Sequence, residues 1–267
     1  MKPVLKPVLL TTSDFFTSIP EDQLVFIFFE QCEYSMMQEG DVTEATLIDR
    51  PNRFLGRVEI RGKIVDAFIP NPGRMYELMV PGKRVFVRWN SGCHRKTSYD
   101  MIAVWHDDLV VSIDSNLPNR FMKEMLQKKA FDWFLPYDLV TSEPRFYDGR
   151  FDFKLEGTEG VTLIEVKSCT LVNEHHARFP DAPTTRGARH VRNLARSLED
   201  GTAVRAAVVF VIQRPDAIAF SPNAATDPEF ALALKDAYNA GVEVYPIVTE
   251  VNDWALSFLR IIPLTFE

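Results

Sequence analysis

The chain has 267 residues, with 30 Lys+Arg against 37 Asp+Glu, a formal net charge of −7, and 46% hydrophobic and 25% charged residues. That length suits one large domain or two small ones with a real core, and the composition excludes wholesale disorder. Three scattered cysteines, Cys32, Cys93 and Cys169, without a Cys-x-x-Cys pair, exclude a disulfide framework and a cysteine-rich zinc module and fit a reducing, cytoplasmic setting.

At the start of the chain the longest apolar run is Leu24-Val25-Phe26-Ile27-Phe28-Phe29, bounded by acids. It is far short of the ~18 residues that a membrane helix needs. Met1-Lys2-Pro3-Val4-Leu5-Lys6-Pro7 is followed by no continuous apolar core or small-residue cleavage site, so no signal peptide is expected. Residues 1–49 hold two basic residues, Lys2 and Lys6, against nine acids, which equals the whole excess of −7. Residues 1–40 therefore read as an acidic N-terminal extension, peripheral to function. Met36 and Met37 leave a later start open.

From Ala45 the text changes to short alternating runs. Residues 45–48, 54–60, 64–69, 84–89 and 98–104 read as strands, separated by the turn signals Arg61-Gly62, Asn71-Pro72-Gly73, Pro81-Gly82 and Ser91-Gly92. Residues 53–98 carry ten Lys/Arg and three acids, Glu59, Asp66 and Glu77. Five short basic strands suggest a small oligonucleotide-binding barrel over residues 41–112, whose groove would track phosphates and stack bases. The competing reading is that these charges merely solvate strand faces.

After Ser115 the period changes. Pro118 introduces a helical stretch to about Phe134. Strands follow at 139–146, 150–155 and 161–168, then a helix at 185–199, an almost wholly apolar strand at 206–213, a helix at 228–240 and a strand at 242–248. This order describes a mixed α/β domain over residues 113–267.

The sharpest feature is Arg150-Phe151-Asp152-Phe153-Lys154-Leu155 followed by Glu165-Val166-Lys167. Strand alternation puts Asp152 and Lys154 on one face with Phe151, Phe153 and Leu155 on the other, and likewise separates Glu165 and Lys167 from Ile164 and Val166. If the hairpin pairs so that the polar faces coincide, two carboxylates and an ammonium converge on an apolar sheet. Mg²⁺ prefers such oxygen ligands together with water and phosphate, and the lysine would orient the attacking water. A bare Glu-x-Lys is weak evidence, and a solvated strand face with a cross-strand ion pair explains it equally well. Nearby, Arg178 to Arg196 holds five arginines and one acid. Arg189, Arg192 and Arg196 fall on one helix stripe beside Arg186, His190 and Asn193. The stripe would hold a phosphate backbone or simply face solvent.

At this point the sequence resembles the sugar fermentation stimulation protein A family over about residues 42–267. The resemblance rests on Asp49-Arg50-Pro51-Asn52-Arg53-Phe54, Pro70-Asn71-Pro72-Gly73-Arg74-Met75, Arg95-Lys96-Thr97 and Asn116-Leu117-Pro118-Asn119-Arg120. It continues through Phe151-Asp152-Phe153, Glu165-Val166-Lys167, Phe179-Pro180-Asp181-Ala182, Thr185-Arg186-Gly187-Ala188-Arg189-His190 and Ile212-Gln213-Arg214. It implies an N-terminal oligonucleotide-binding barrel and a C-terminal PD-(D/E)xK nuclease-like domain. It also implies binding of DNA, with RNA as an alternative, and Mg²⁺- or Mn²⁺-dependent cleavage. Asp152 and Glu165 would then be metal ligands and Lys167 the catalytic lysine, with Glu124 and Gln213 as weaker site candidates. Arg53, Asn71, Arg74, Arg95, Lys96, Arg120, Arg186, Arg189 and His190 would contact nucleic acid. Phe68 stands where the family usually carries a histidine, which removes any imidazole contact there. A homodimer is compatible with this reading.

Other residues are less specific. His175-His176 lacks the spacing of a metal site, and Cys169 has no histidine base pattern, so a packed thiol is expected. Trp89, Trp105, Phe54 and Phe68 would either stack on bases or fill the barrel core. No phosphate-binding glycine loop occurs. The alternative to a nuclease is a DNA-binding regulator whose nuclease-like domain no longer cuts. A sugar-metabolising enzyme is suggested by the family name alone. The acidic extension would compete with nucleic acid for the basic barrel. A chain beginning at Met37 is therefore expected to bind a DNA oligonucleotide more tightly than the full chain at low salt, in a titration where equal affinities would refute the competition.

Overall fold

The computed structural model describes residues 40–90, 92 and 95–266. Residues 1–39, and with them the expected acidic extension, lie outside the described residues. Val42–Glu267 forms one compact unit.

Six strands come first: β1 (Val42–Asn52), β2 (Leu55–Ile60), β3 (Lys63–Phe68), β4 (Arg84–Trp89), β5 (Tyr99–His106) and β6 (Leu109–Ser112). They hydrogen-bond in the order β3-β2-β1-β4-β5-β6, and a β3–β5 pairing closes the first five into a barrel. Alternate side chains point inward, so Leu47, Val58, Ala67, Val85, Val87, Met101 and Val104 are fully buried. At Gly56 an added Cβ would lie 2.7 Å from Met101 Cε, so a larger residue there would displace the end of that buried side chain.

β1 corrects the charge partition drawn from the sequence. Glu44 and Asp49, counted with the acidic lead, are barrel residues that pair with Arg84 (3.6 Å) and Arg57. Arg95 likewise pairs with Asp100. Much of the basic excess is thus compensated on the barrel's own surface, as solvated strand faces are.

Then come α1 (Leu117–Gln127), a 3₁₀ turn (Asp132–Phe134), β7 (Leu139–Ser142), β8 (Arg145–Phe146), β9 (Gly149–Arg150), β10 (Phe153–Gly157), β11 (Gly160–Cys169), β12 (Val172–Asn173) and β13 (His176–Phe179). The chain continues with α2 (Thr185–Glu199), β14 (Arg205–Ile212), β15 (Ala219–Pro222), α3 (Pro228–Asn239), β16 (Glu243–Asn252) and β17 (Ala255–Ile261). The main sheet runs β17-β16-β14-β11-β10-β7, parallel through β11, β14 and β16 and antiparallel at both edges. A small sheet of β12, β13 and β15 packs nearby.

The central strand β14 is apolar throughout because both its faces are covered. Ala206, Val208, Phe210 and Ile212 pack with Val191 and Leu194 of α2 and Phe230 and Leu234 of α3. Ala207, Val209 and Val211 pack with Phe121, Met122 and Leu126 of α1. On the neighbouring β11, Ile164 and Val166 join the α1 layer, while Leu163 and Cys169 join the layer of α2 and α3. Glu165 and Lys167 therefore belong to the face that α2 covers.

α2 begins at Thr184, whose hydroxyl accepts from the Gly187 N–H at 3.0 Å. Asp227 caps α3 through the Phe230 N–H (2.9 Å), and its second oxygen accepts from the Thr184 N–H (2.6 Å). One buried carboxylate thus fixes the starts of two helices. Asp227→Ala is expected to cost about 2 kcal/mol of stability, by loss of a cap and of a charge-assisted hydrogen bond. Chemical denaturation checks this, and an unchanged midpoint would mean that water replaces both bonds.

Candidate active site

β10 is shorter than the sequence pattern suggests, and the site depends on that. Its register with β11 starts at Phe153↔Ile164, and Asp152 sits just before it in a bend. The Val166 N–H on β11, left without a strand partner on that side, donates instead to Asp152 Oδ2 at 2.7 Å. Because the alternation breaks there, Phe151 does not share a face with Phe153. It packs in the layer of α2 and α3, 6.5 Å from the His190 ring.

The first turn of α1 supplies Asn119, whose Nδ2 donates to Asp152 Oδ1 at 2.7 Å. Sequence reasoning quoted Asn119 inside a block and gave it no role. Glu124, the weaker candidate on the same helix, lies five residues on and roughly 140° around it. It is exposed and pairs with Lys128.

Glu165 is 3% exposed. Its Oε1 accepts from Lys167 Nζ and from His190 Nδ1 (2.5 Å). The Arg186 Nε–H donates to His190 Nε2 at 3.3 Å, so that nitrogen is the acceptor and the proton sits on Nδ1. His190 is thus neither a surface residue nor placed as a phosphate contact. It is buried against Glu165, 4% exposed.

The two carboxyls are tuned apart. Burial pushes Asp152 up to about 6, the negative charge of Glu165 adds to this, and Lys167, the Val166 N–H and Asn119 only partly offset it. Burial also raises Glu165, but the Lys167 ammonium and the His190 hydrogen bond outweigh it and hold this carboxyl below the ordinary glutamate range.

These residues open into a cavity of about 430 Å³ lined by Asp152, Glu165, Val166, Lys167 and Ser168 from the sheet, and by Thr184 and Arg186 at the start of α2. The barrel closes the other side with Arg53, Asn71, Pro72, Gly73 and Ser115. Asp181, a third carboxylate on the wall, accepts from the Met75 N–H at 3.1 Å. A Cβ on Gly73 would lie 2.6 Å from Asp181 Oδ2, so glycine permits this close approach. Arg50 braces the same turn by donating to the carbonyls of Arg53 and Gly73, both at 2.8 Å.

Of the expected nucleic-acid contacts, Arg53 and Arg186 line the cavity. Asn71 lines it too, but its side chain is committed to the Ile113 carbonyl (3.0 Å) and the Gly73 N–H (2.8 Å). Arg120 pairs with Asp114 (2.7 Å) in a separate cleft, and Arg189 with Asp148 (3.6 Å). Arg192 and Arg196 pair with Glu229 and Asp200, so this helix stripe is an ion-paired outer face. Arg74 and Lys96 are exposed outside the cavity, as is Arg95. Gln213 lies one strand behind, its Nε2 donating to Ser168 Oγ at 3.0 Å. His175 and His176 bond the Asp216 carbonyl and Ser221 hydroxyl, and Cys169 is a buried thiol whose pKa burial raises.

The donor set suits a hard divalent cation. Glu165 Oε2 is buried without a hydrogen-bond partner, and each Asp152 oxygen accepts a single bond. Two carboxylates with remaining lone pairs, completed by water and substrate oxygens, meet the needs of Mg²⁺ or Mn²⁺.

The model of the "SfsA N-terminal OB domain" matches residues 48–113, and that of the "Sugar fermentation stimulation protein RE domain" matches residues 116–255. The chain belongs to the sugar fermentation stimulation protein family. A homologue from Desulforamulus reducens is 43% identical over 225 residues, covering 84% of this chain and 92% of the relative. Another, from Methanococcoides burtonii, is 40% identical over 230 residues, covering 84% and 92%. The structure of Pyrococcus furiosus SfsA in complex with Ca²⁺ superposes with a TM-score of 0.77 at 28% identity, covering 86% of this chain and 98% of that one.

For this family member the raised Asp152 pKa is a stability statement. A carboxyl whose folded pKa exceeds its unfolded value destabilises the fold once ionised, fully above pH 6 and not at all below pH 4. Asp152→Asn should therefore stabilise the metal-free protein by about 2–3 kcal/mol at pH 8, and the gain should vanish by pH 4. Thermal melts with chelator across that range measure it, and a gain independent of pH would remove the electrostatic explanation.

Proposed function

We propose that this protein is a nucleic-acid-binding phosphodiesterase, cutting DNA or RNA with Mg²⁺ or Mn²⁺ held by Asp152 and Glu165. The observation that carries the reading is the partnerless buried oxygen of Glu165, in one cavity with a second carboxylate, Asp152, whose pKa burial raises, and with a lysine. The barrel on the opposite wall supports a polymeric substrate, and the Ca²⁺ complex of the Pyrococcus furiosus relative supports a divalent cation.

When bound, the cation supplies Lewis-acid polarisation of the phosphoryl group and acidifies a water. The chain's own residues do the rest. Arg53 and Arg186 flank the cavity and would grip phosphate oxygens, since Arg186 spends only its Nε–H on His190. Lys167 keeps donors beyond the one given to Glu165, to orient the attacking water and offset developing negative charge. His190 and Asn119 are positioning residues that fix the two carboxylates. Asp152 must be ionised to hold the cation, so protons compete with the cation and metal affinity should rise with pH.

Among the described residues no helix is long and apolar enough to cross a membrane. A cytoplasmic setting is part of the same reading, resting on the scattered cysteines.

Purified protein with Mg²⁺ or Mn²⁺ should degrade nucleic acid, and Asp152→Ala and Lys167→Ala should each lower the rate at least about 100-fold. Variants as fast as the wild type would mean a misplaced site. Salt-sensitive DNA binding with no cleavage under either metal would favour the regulator.

A further inference from the structure

Some of the barrel's aromatic rings lie outside its core, and two of these are paired with one another. Trp89 is buried edge-on against Tyr99, and Trp105 lies beneath the Arg84 guanidinium at 4.3 Å. Phe54 and Phe68, by contrast, are 48% and 36% exposed. Their rings lie nearly parallel, 12° apart with centroids 6.4 Å from one another. The Arg95 guanidinium, held by Asp100, sits 5.8 Å from the Phe68 ring centroid.

The position of this pair matters as much as its exposure. Arg53, the chain neighbour of Phe54, lines the catalytic cavity. Asn71, Pro72 and Gly73, three to five residues beyond Phe68, line it as well. The Ile69 N–H donates to the Phe54 carbonyl at 2.9 Å, which fixes the two segments together. An exposed pair of parallel rings therefore lies next in the chain to residues that line the cavity, with Arg95 beside Phe68 and the exposed cations Arg53, Arg74 and Lys96 on the same or neighbouring loops.

We propose that Phe54 and Phe68 form a stacking platform for an unpaired base, so that the cavity receives a single strand or an unpaired end. This rests on the nucleic-acid reading of the site and names its substrate class. A base in a duplex has both faces covered by its neighbours, whereas an unpaired base can lay one face on a phenyl ring. Arg53 then meets the phosphate between the stacked nucleotide and the one in the cavity. The cationic surround selects a polyanion over a protein partner or a second copy of the chain.

The test uses the full chain and its Phe54→Ala/Phe68→Ala double variant. A labelled oligo-dT and a blunt duplex of equal length are titrated with chelator, then cleaved with Mg²⁺ or Mn²⁺. Single-strand affinity should fall about 10-fold or more in the variant, duplex affinity should stay within about 2-fold, and Phe68→Trp should keep single-strand binding. If the double variant binds oligo-dT like the wild type while the wild type still cuts, the platform is wrong and the catalytic reading stands. If the wild type neither binds nor cuts nucleic acid, both fall. Unchanged oligonucleotide binding with a loss of self-association in sedimentation would make the patch a dimer surface and overturn the proposal.

Discussion

A single buried charge organises this protein. Glu165 occupies a position on β11 where the same face otherwise carries Leu163 and Cys169, and it is almost wholly withdrawn from water. An ionised carboxylate there is costly unless paired and hydrogen-bonded. Lys167, two residues along the same strand face, and His190, on the helix packed over it, supply both compensations at one oxygen. The placement of α2 follows from this, because its first turns must bring His190 to Glu165. The Thr184 and Asp227 caps hold that start in place.

The compensation is deliberately incomplete. It secures Glu165 as an anion and leaves Asp152, its neighbour, poised between charge states. Asp152 is held by the Val166 N–H, the backbone group between Glu165 and Lys167, so all three candidate site side chains are tied to one short stretch of β11. Starting β10 only at Phe153 is what frees that N–H. A strand continued through Asp152 would pair the backbone and lose the carboxylate's anchor.

Much of this was legible in the sequence, and what was missed has a common cause. Helical periodicity located α2 at 185–199 and a nearly continuous apolar run located the double-covered strand β14, because these signals lie within a few residues of one another. Glu165 and Lys167 were legible for the same reason. Asn119, Asp181 and the role of His190 were not, since each acts across the fold on a residue far away in the chain. The assignment of Phe151 failed where a bend interrupted the period, and the strand over 139–146 proved to be two short ones around a turn. β6 and β17, which the sequence reading does not name, are the outer strands of their sheets. The cross-strand pairing of Glu44 and Asp49 was hidden because a composition window was cut through β1.

The net charge of the chain says little about what it binds, and the cavity shows why. Its wall carries three carboxylates, Asp152, Glu165 and Asp181, and three cations, Arg53, Lys167 and Arg186. Formally these cancel, and in a partly desolvated cavity such a balance is the arrangement that costs least when the site is empty. A phosphodiester entering it adds a negative charge beside two carboxylates, which repel it more strongly there than they would in water. A divalent cation entering with the phosphate reverses that repulsion, drawing on lone pairs that Glu165 and Asp152 leave unused. On the proposed reading, cation and phosphate would each make the other's binding favourable, which is a coupling of two ligands rather than a property of net charge. The −7 of the whole chain, read at the surface, would have argued against such a substrate. The cavity's own balance argues for a substrate that arrives with its cation.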